Sequence, residues 1–61
     1  MTKTEALREF RVYMHDVRVE ARREGYRPQT DVYWNMFVDM LREEGRVAPE
    51  TAHQWIMRGP R

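Results

Sequence analysis

Apolar positions along the chain fall into three stretches of helical period, and the densest is Asp31-Val-Tyr-Trp-Asn-Met-Phe-Val-Asp-Met-Leu41. On a helix, Tyr33, Met36, Phe37, Met40 and Leu41 fill one side at i, i+3, i+4, i+7 and i+8 spacing. Trp34 and Val38 widen that sector, which leaves Asp31, Asn35, Asp39 and Arg42 as a narrow polar stripe. A helix apolar over so much of its circumference needs more than one neighbour to cover it. The pattern therefore predicts a middle layer here, with the segments before and after it as the covers.

The first cover starts at Thr2 and Glu5, whose T-x-x-E spacing is a capping box. No Pro or Gly interrupts the chain until Gly25, which is placed to take the left-handed conformation that ends a helix, with Tyr26 folding back over Ala21. Leu7, Phe10, Met14, Val17 and Ala21 recur at alternating steps of three and four and form an apolar seam. Pro28 keeps Arg27 out of helical geometry, and Thr30 is the expected cap of the second helix. Gly45 is the next stop signal. Pro49 fits the first turn of a third helix, whose inward face is Ala48, Ala52, Trp55 and Ile56, and Gly59-Pro60 ends it. The reading is all-α: a single domain over residues 1–61, built as a small three-helix bundle with helices near 2–24, 30–44 and 49–58. At about 1.5 Å per residue the first helix overhangs the second by a turn or two, so a homodimer covering the overhang is one expectation.

Composition narrows the class. The chain has no Cys and no Ser, so thiolate metal sites, disulfides and the commonest nucleophiles are missing, and a cytoplasmic setting is expected. No apolar run reaches the ~20 residues of a membrane span, and the N-terminal stretch lacks the apolar core of a signal peptide. His15 and His53 lie on different predicted helices with no ligating partner at i+3 or i+4, and no glycine-rich phosphate loop is present. These features predict a protein with no catalytic residues, no metal and no cofactor. Net charge is only +1, yet it is unevenly spread: residues 1–28 sum to +2, residues 29–44 to −3 and residues 45–61 to +2. Ten of the eleven basic residues are Arg, the side chain whose planar fork suits carboxylate and phosphate contacts.

The most specific chemical pattern lies on the first helix. One residue on from the seam, Arg8, Arg11, His15, Arg18 and Arg22 form an unbroken basic stripe spanning roughly 21 Å. Glu5, Glu9, Asp16 and Glu20 take much of the remaining circumference, with Val12 and Val19 between the basic and acidic faces. The stripe is the candidate surface for an acidic protein partner. The alternative is a solvated face whose Arg stems shield the edges of the core.

A second candidate lies in Gly45-Arg-Val-Ala-Pro-Glu-Thr-Ala-His-Gln-Trp55, and residues 45–58 loosely resemble the turn and recognition helix of helix-turn-helix DNA-binding proteins. That resemblance implies Glu50, Thr51, His53 and Gln54 at base edges, with Arg46, Arg58 and Arg61 on phosphates. The turn is one residue longer than the pattern, and Glu50 sits badly for phosphate. Tyr33-Trp34-x-x-Phe37-x-x-x-Leu41-x-x-x-Gly45-x-Val47 with Trp55 resembles small helical proteins of bacteriophages and prophages over residues 31–56. This implies a compact accessory protein, some of whose kind dock on a host protein and block it, with Tyr33, Trp34, Phe37, Leu41 and Trp55 as core positions. The resulting expectation is a non-enzymatic interaction module acting through the stripe. A small helix-turn-helix regulator of the excisionase or repressor kind, using Arg46, Thr51, His53, Gln54 and Arg58, is the alternative. Near-neutral charge favours the first, because non-specific DNA affinity grows with the number of phosphates neutralised.

Overall fold

The computed structural model describes all of Met1–Arg61 and contains three helices and no strand: α1 (Lys3–Glu24), α2 (Thr30–Glu43) and α3 (Pro49–Arg58). Each helix begins and ends where the local chemistry requires. At the start of α1 the Thr2 amide donates to Glu5 Oε1 at 2.9 Å, and the Glu5 amide donates to Thr2 Oγ1 at 3.2 Å. These bonds hold the Glu5 carboxyl below its ordinary pKa, because the ionised form is the better acceptor. At its end Gly25 adopts φ 80°, which brings the Gly25 and Tyr26 amides back to the Ala21 carbonyl at 2.8 and 3.0 Å. The end of α2 repeats the device at Gly45, φ 74°, where the Arg46 amide reaches the Leu41 carbonyl and the Gly45 amide the Arg42 carbonyl, each at 3.0 Å. Thr30 does not cap α2. Gln29 occupies the cap position without a side-chain bond, and Thr30 is already the first helical residue.

The helices α1 and α2 run antiparallel, with Phe10 beside Phe37 at 5.4 Å between ring centroids and Tyr13 beside Tyr33 at 6.3 Å. The other side of α2 receives Val47, Ala52 and Trp55 from the second turn and α3. Trp34 sits at the centre, fully buried, edge-on to Phe10 at 5.1 Å. Its indole N–H donates to the Trp55 carbonyl at 2.8 Å, which ties α2 to α3 inside the core. All buried residues are apolar and no buried side-chain N or O is left unpaired.

Three expectations about the core are corrected. On α2 the buried sector is Trp34, Phe37, Val38 and Leu41, while Met36 and Met40 stand 56 % and 41 % exposed. The apolar arc is wider than its two neighbours cover, so its methionine edge is left in solvent. On α1 the seam turns toward Ala6, which is fully buried, and Tyr13, which packs on Tyr33 and Phe37, so Leu7 and Val17 become its half-buried margin. In the second turn Val47 enters the core and Ala48 does not, because Ala48 is the extended cap residue of α3. The long dimension of the molecule, 36 Å, is set by α1 at roughly 33 Å. At its far end Ala21 is buried apart from the main core, where the turn folds back to bond its carbonyl. The chain's own link thus covers the overhang at Ala21.

Two outcomes follow from this packing. Leu41→Ala removes a fully buried side chain from the centre of α2 and should cost about 2–5 kcal/mol in denaturant unfolding; near wild-type stability would show that α2 is not the core. Because the Glu5 pKa is depressed on folding, its contribution is fully present above the ordinary glutamate range and lost as pH falls through the lowered value. Amide NMR should show the first turn of α1 fraying in that acidic window in the wild type. Glu5→Gln should abolish the transition, and an identical acid response in that variant would contradict the capping account.

Candidate functional site

The basic stripe is a real surface of the folded chain. Arg8, Arg11, His15, Arg18 and Arg22 are all exposed along α1. The helical period places them together, and the seam beside them fixes which way they face. The ion pairs of the structure engage other arginines: Arg23 with Glu20 at 3.7 Å, Arg42 with Asp39 at 3.5 Å, and Arg46 with Glu9 at 2.7 Å and Glu44 at 3.9 Å. No carboxylate lies within ion-pair distance of any stripe residue, since the acids of α1 face the opposite flank or are taken up elsewhere.

The fold adds two arginines that periodicity does not assign to the stripe. Arg27, in the link, joins Arg18 and Arg22 around a hollow of about 440 Å³ whose other walls are Ala21, Tyr26 and Pro28. Arg61 joins Arg11 and Arg18 around a second hollow of about 310 Å³, floored by Leu7, Phe10 and Met14. Arg18 lines both, and also a smaller depression with His15, Val19 and Arg22. The result is a row of guanidinium groups beside apolar ground. The return of Tyr26 over Ala21, legible in the Gly25 stop signal, is the clue that would have placed Arg27. Arg61 had no such clue, because its position depends on how α3 packs. The Tyr26 phenol is held above its ordinary pKa by the neighbouring Tyr33 hydroxyl.

The third-helix residues are arranged differently. His53, Gln54 and Arg58 are exposed, but Thr51 is half-buried. Arg46 is held by Glu9, whose carboxylate pushes the guanidinium pKa further up. Its bond to Glu9 links the second turn to α1 and occupies the fork that a phosphate would need. Glu50 is exposed in the first turn of α3, and five residues, 44–48, separate α2 from α3. No three His, Cys, Asp or Glu side chains are grouped so that they could hold a metal ion, and no helix is long and apolar enough to cross a membrane.

No protein-family model, no curated protein and no solved structure matches this chain.

Proposed function

We propose that this chain is a non-enzymatic interaction module that binds an acidic protein surface through the basic face of α1. The observation behind this reading is the row Arg8, Arg11, His15, Arg18 and Arg22, exposed and without an acidic partner of its own, beside the half-buried apolar margin of Leu7. An acidic amphipathic segment would find guanidinium forks for its carboxylates and apolar ground for its other face. The helix is braced along its length by α2 and the link, so little ordering cost is added on binding. A small phage-type accessory protein that modulates a host protein by docking is the biological role that suits such a module. Sequence-reading of DNA by α3 is the second reading. It is favoured by the exposure of His53, Gln54 and Arg58 and weakened by the capture of Arg46 and the exposed Glu50.

Charge reversal separates the two. Arg11→Glu with Arg18→Glu should abolish capture of the partner from a bacterial lysate while the helical circular dichroism is kept, because both side chains point away from the core. His53→Ala with Gln54→Ala should leave capture intact. Sequence-selective, salt-sensitive duplex binding in a gel shift that survives the α1 reversals would overturn the proposal in favour of the DNA reader.

A further inference from the structure

The edge of α2 left bare by its two neighbours is an apolar row of Val32, Met36 and Met40, 48 %, 56 % and 41 % exposed. Beside it on α2 stand the exposed Asp39, which pairs with Arg42 at 3.5 Å, and Glu43, which has no ion-pair partner, while Arg27 of the link lines the hollow at the Val32 and Met36 end. On its other side, where Tyr13 meets Tyr33, the neighbouring flank of α1 is the acidic one, with the unpaired Asp16 and the Arg23-paired Glu20 next round the helix from Tyr13. An exposed methionine row is adaptable apolar ground, and such a row with a charged rim marks a contact surface.

The rim decides what can cover it. Two copies meeting through this edge by a two-fold axis would offer the free carboxylates of Glu43 and Asp16 only Arg27 as an unpaired cation. The opposite flank of the same molecule has the complementary character. There the basic stripe of α1 runs beside Val12 and Val19, which are 68 % and 45 % exposed. The dimensions agree: Arg8 to Arg22 and the length of α2 are each roughly 21 Å, and Val12 to Val19 and Val32 to Met40 span roughly 10 and 12 Å.

We infer that the methionine edge of α2 docks the basic face of α1 of a second copy, so that the chain associates head to tail. This rests on the reading of the stripe as a binding surface and names one acidic surface that fits it. The contact is heterologous, so each added copy leaves one free basic face and one free methionine edge, and assembly proceeds stepwise unless it closes into a ring. A tighter acidic partner on the stripe would compete with it and return the chain to single copies.

Sedimentation of purified chain and of two blocked variants tests this. The wild type should show an average mass rising with concentration to twice the monomer's or more at low salt, and falling back at about 0.5 M salt, where surface charges are screened. Met36→Gln with Met40→Gln, and Arg11→Glu with Arg18→Glu, each spoil one exposed face, and each should be monomeric alone with its helical spectrum kept. Mixed in equal amounts, they should form a one-to-one pair that grows no further, because one variant keeps its basic face and the other its methionine edge. A wild type that stays monomeric up to millimolar concentration overturns the inference, as does a mixture that fails to pair while the wild type associates. Lysate capture by the stripe in a chain that never self-associates would leave the proposed function standing and remove only this contact.

Discussion

The structure depends on one buried bond, from the Trp34 indole N–H to the Trp55 carbonyl at 2.8 Å. Trp55 lies in the last turn of α3, where carbonyls have no amide ahead of them in the helix. Its carbonyl accepts from the Gly59 amide at 3.0 Å and from the Trp34 indole, so this one terminal carbonyl of α3 is doubly satisfied inside the protein. The indole is in turn a fully buried ring that would lose its water without return if the bond were absent. In a chain of 61 residues there is little other apolar volume to compensate. The ring fixes the distance between α2 and α3, and its edge-on contact with Phe10 then fixes where α1 lies.

That arrangement explains why α1 is the surface helix. It is attached along one side by the aromatic cluster of Phe10, Tyr13, Tyr33 and Phe37, at the second turn by the exposed Arg46–Glu9 pair, and at its far end by the returning link. An exposed pair of that kind is worth only about 0–1 kcal/mol, so it sets register more than stability. Outside this buried side, which also carries Ala6 and Met14 with Leu7 and Val17 at its margin, α1 faces outward. Charge that cannot enter an all-apolar core is sorted by the helical period into a basic flank and an acidic flank. Two acids of the acidic flank, Glu20 and Glu9, pair with Arg23 and Arg46, and the arginines of the basic flank pair with no carboxylate. The asymmetry that singles out the stripe is therefore a product of packing as well as of sequence.

Much of the fold was legible in the sequence, because helix ends are governed by a few residues. Thr2, Glu5, Gly25, Gly45, Pro49 and Gly59 mark the boundaries, and the structure places the three helices within a residue of them. The burial of Trp34, Phe37, Leu41 and Trp55 was legible for the same reason: apolar spacing selects a face. Which part of a wide face is covered was not legible. Met36 and Met40 read as core because they are apolar and in phase, but coverage depends on where Tyr13 and Trp55 lie. The seam of α1 erred similarly, since small Ala6 admits close approach of a neighbour where a periodicity count weights Leu7 instead. Of the candidate site, the five stripe residues follow from helical period alone. Arg27 and Arg61 join them through tertiary contacts that no local pattern encodes.

Hydrogen exchange at the two indoles tests the central role of the Trp34 bond most directly. Trp34 Nε1 is buried and bonded, whereas Trp55 Nε1 has no bonded partner within the chain and its ring lies at the 8 % exposed margin of the core. If the bond joins the helices as described, the Trp34 indole proton should exchange only through global unfolding, with a protection free energy equal to that from denaturant melting. The Trp55 indole proton should exchange faster, through local opening. Exchange at Trp34 as fast as at Trp55, under conditions where the backbone amides of α2 remain protected, would contradict the account.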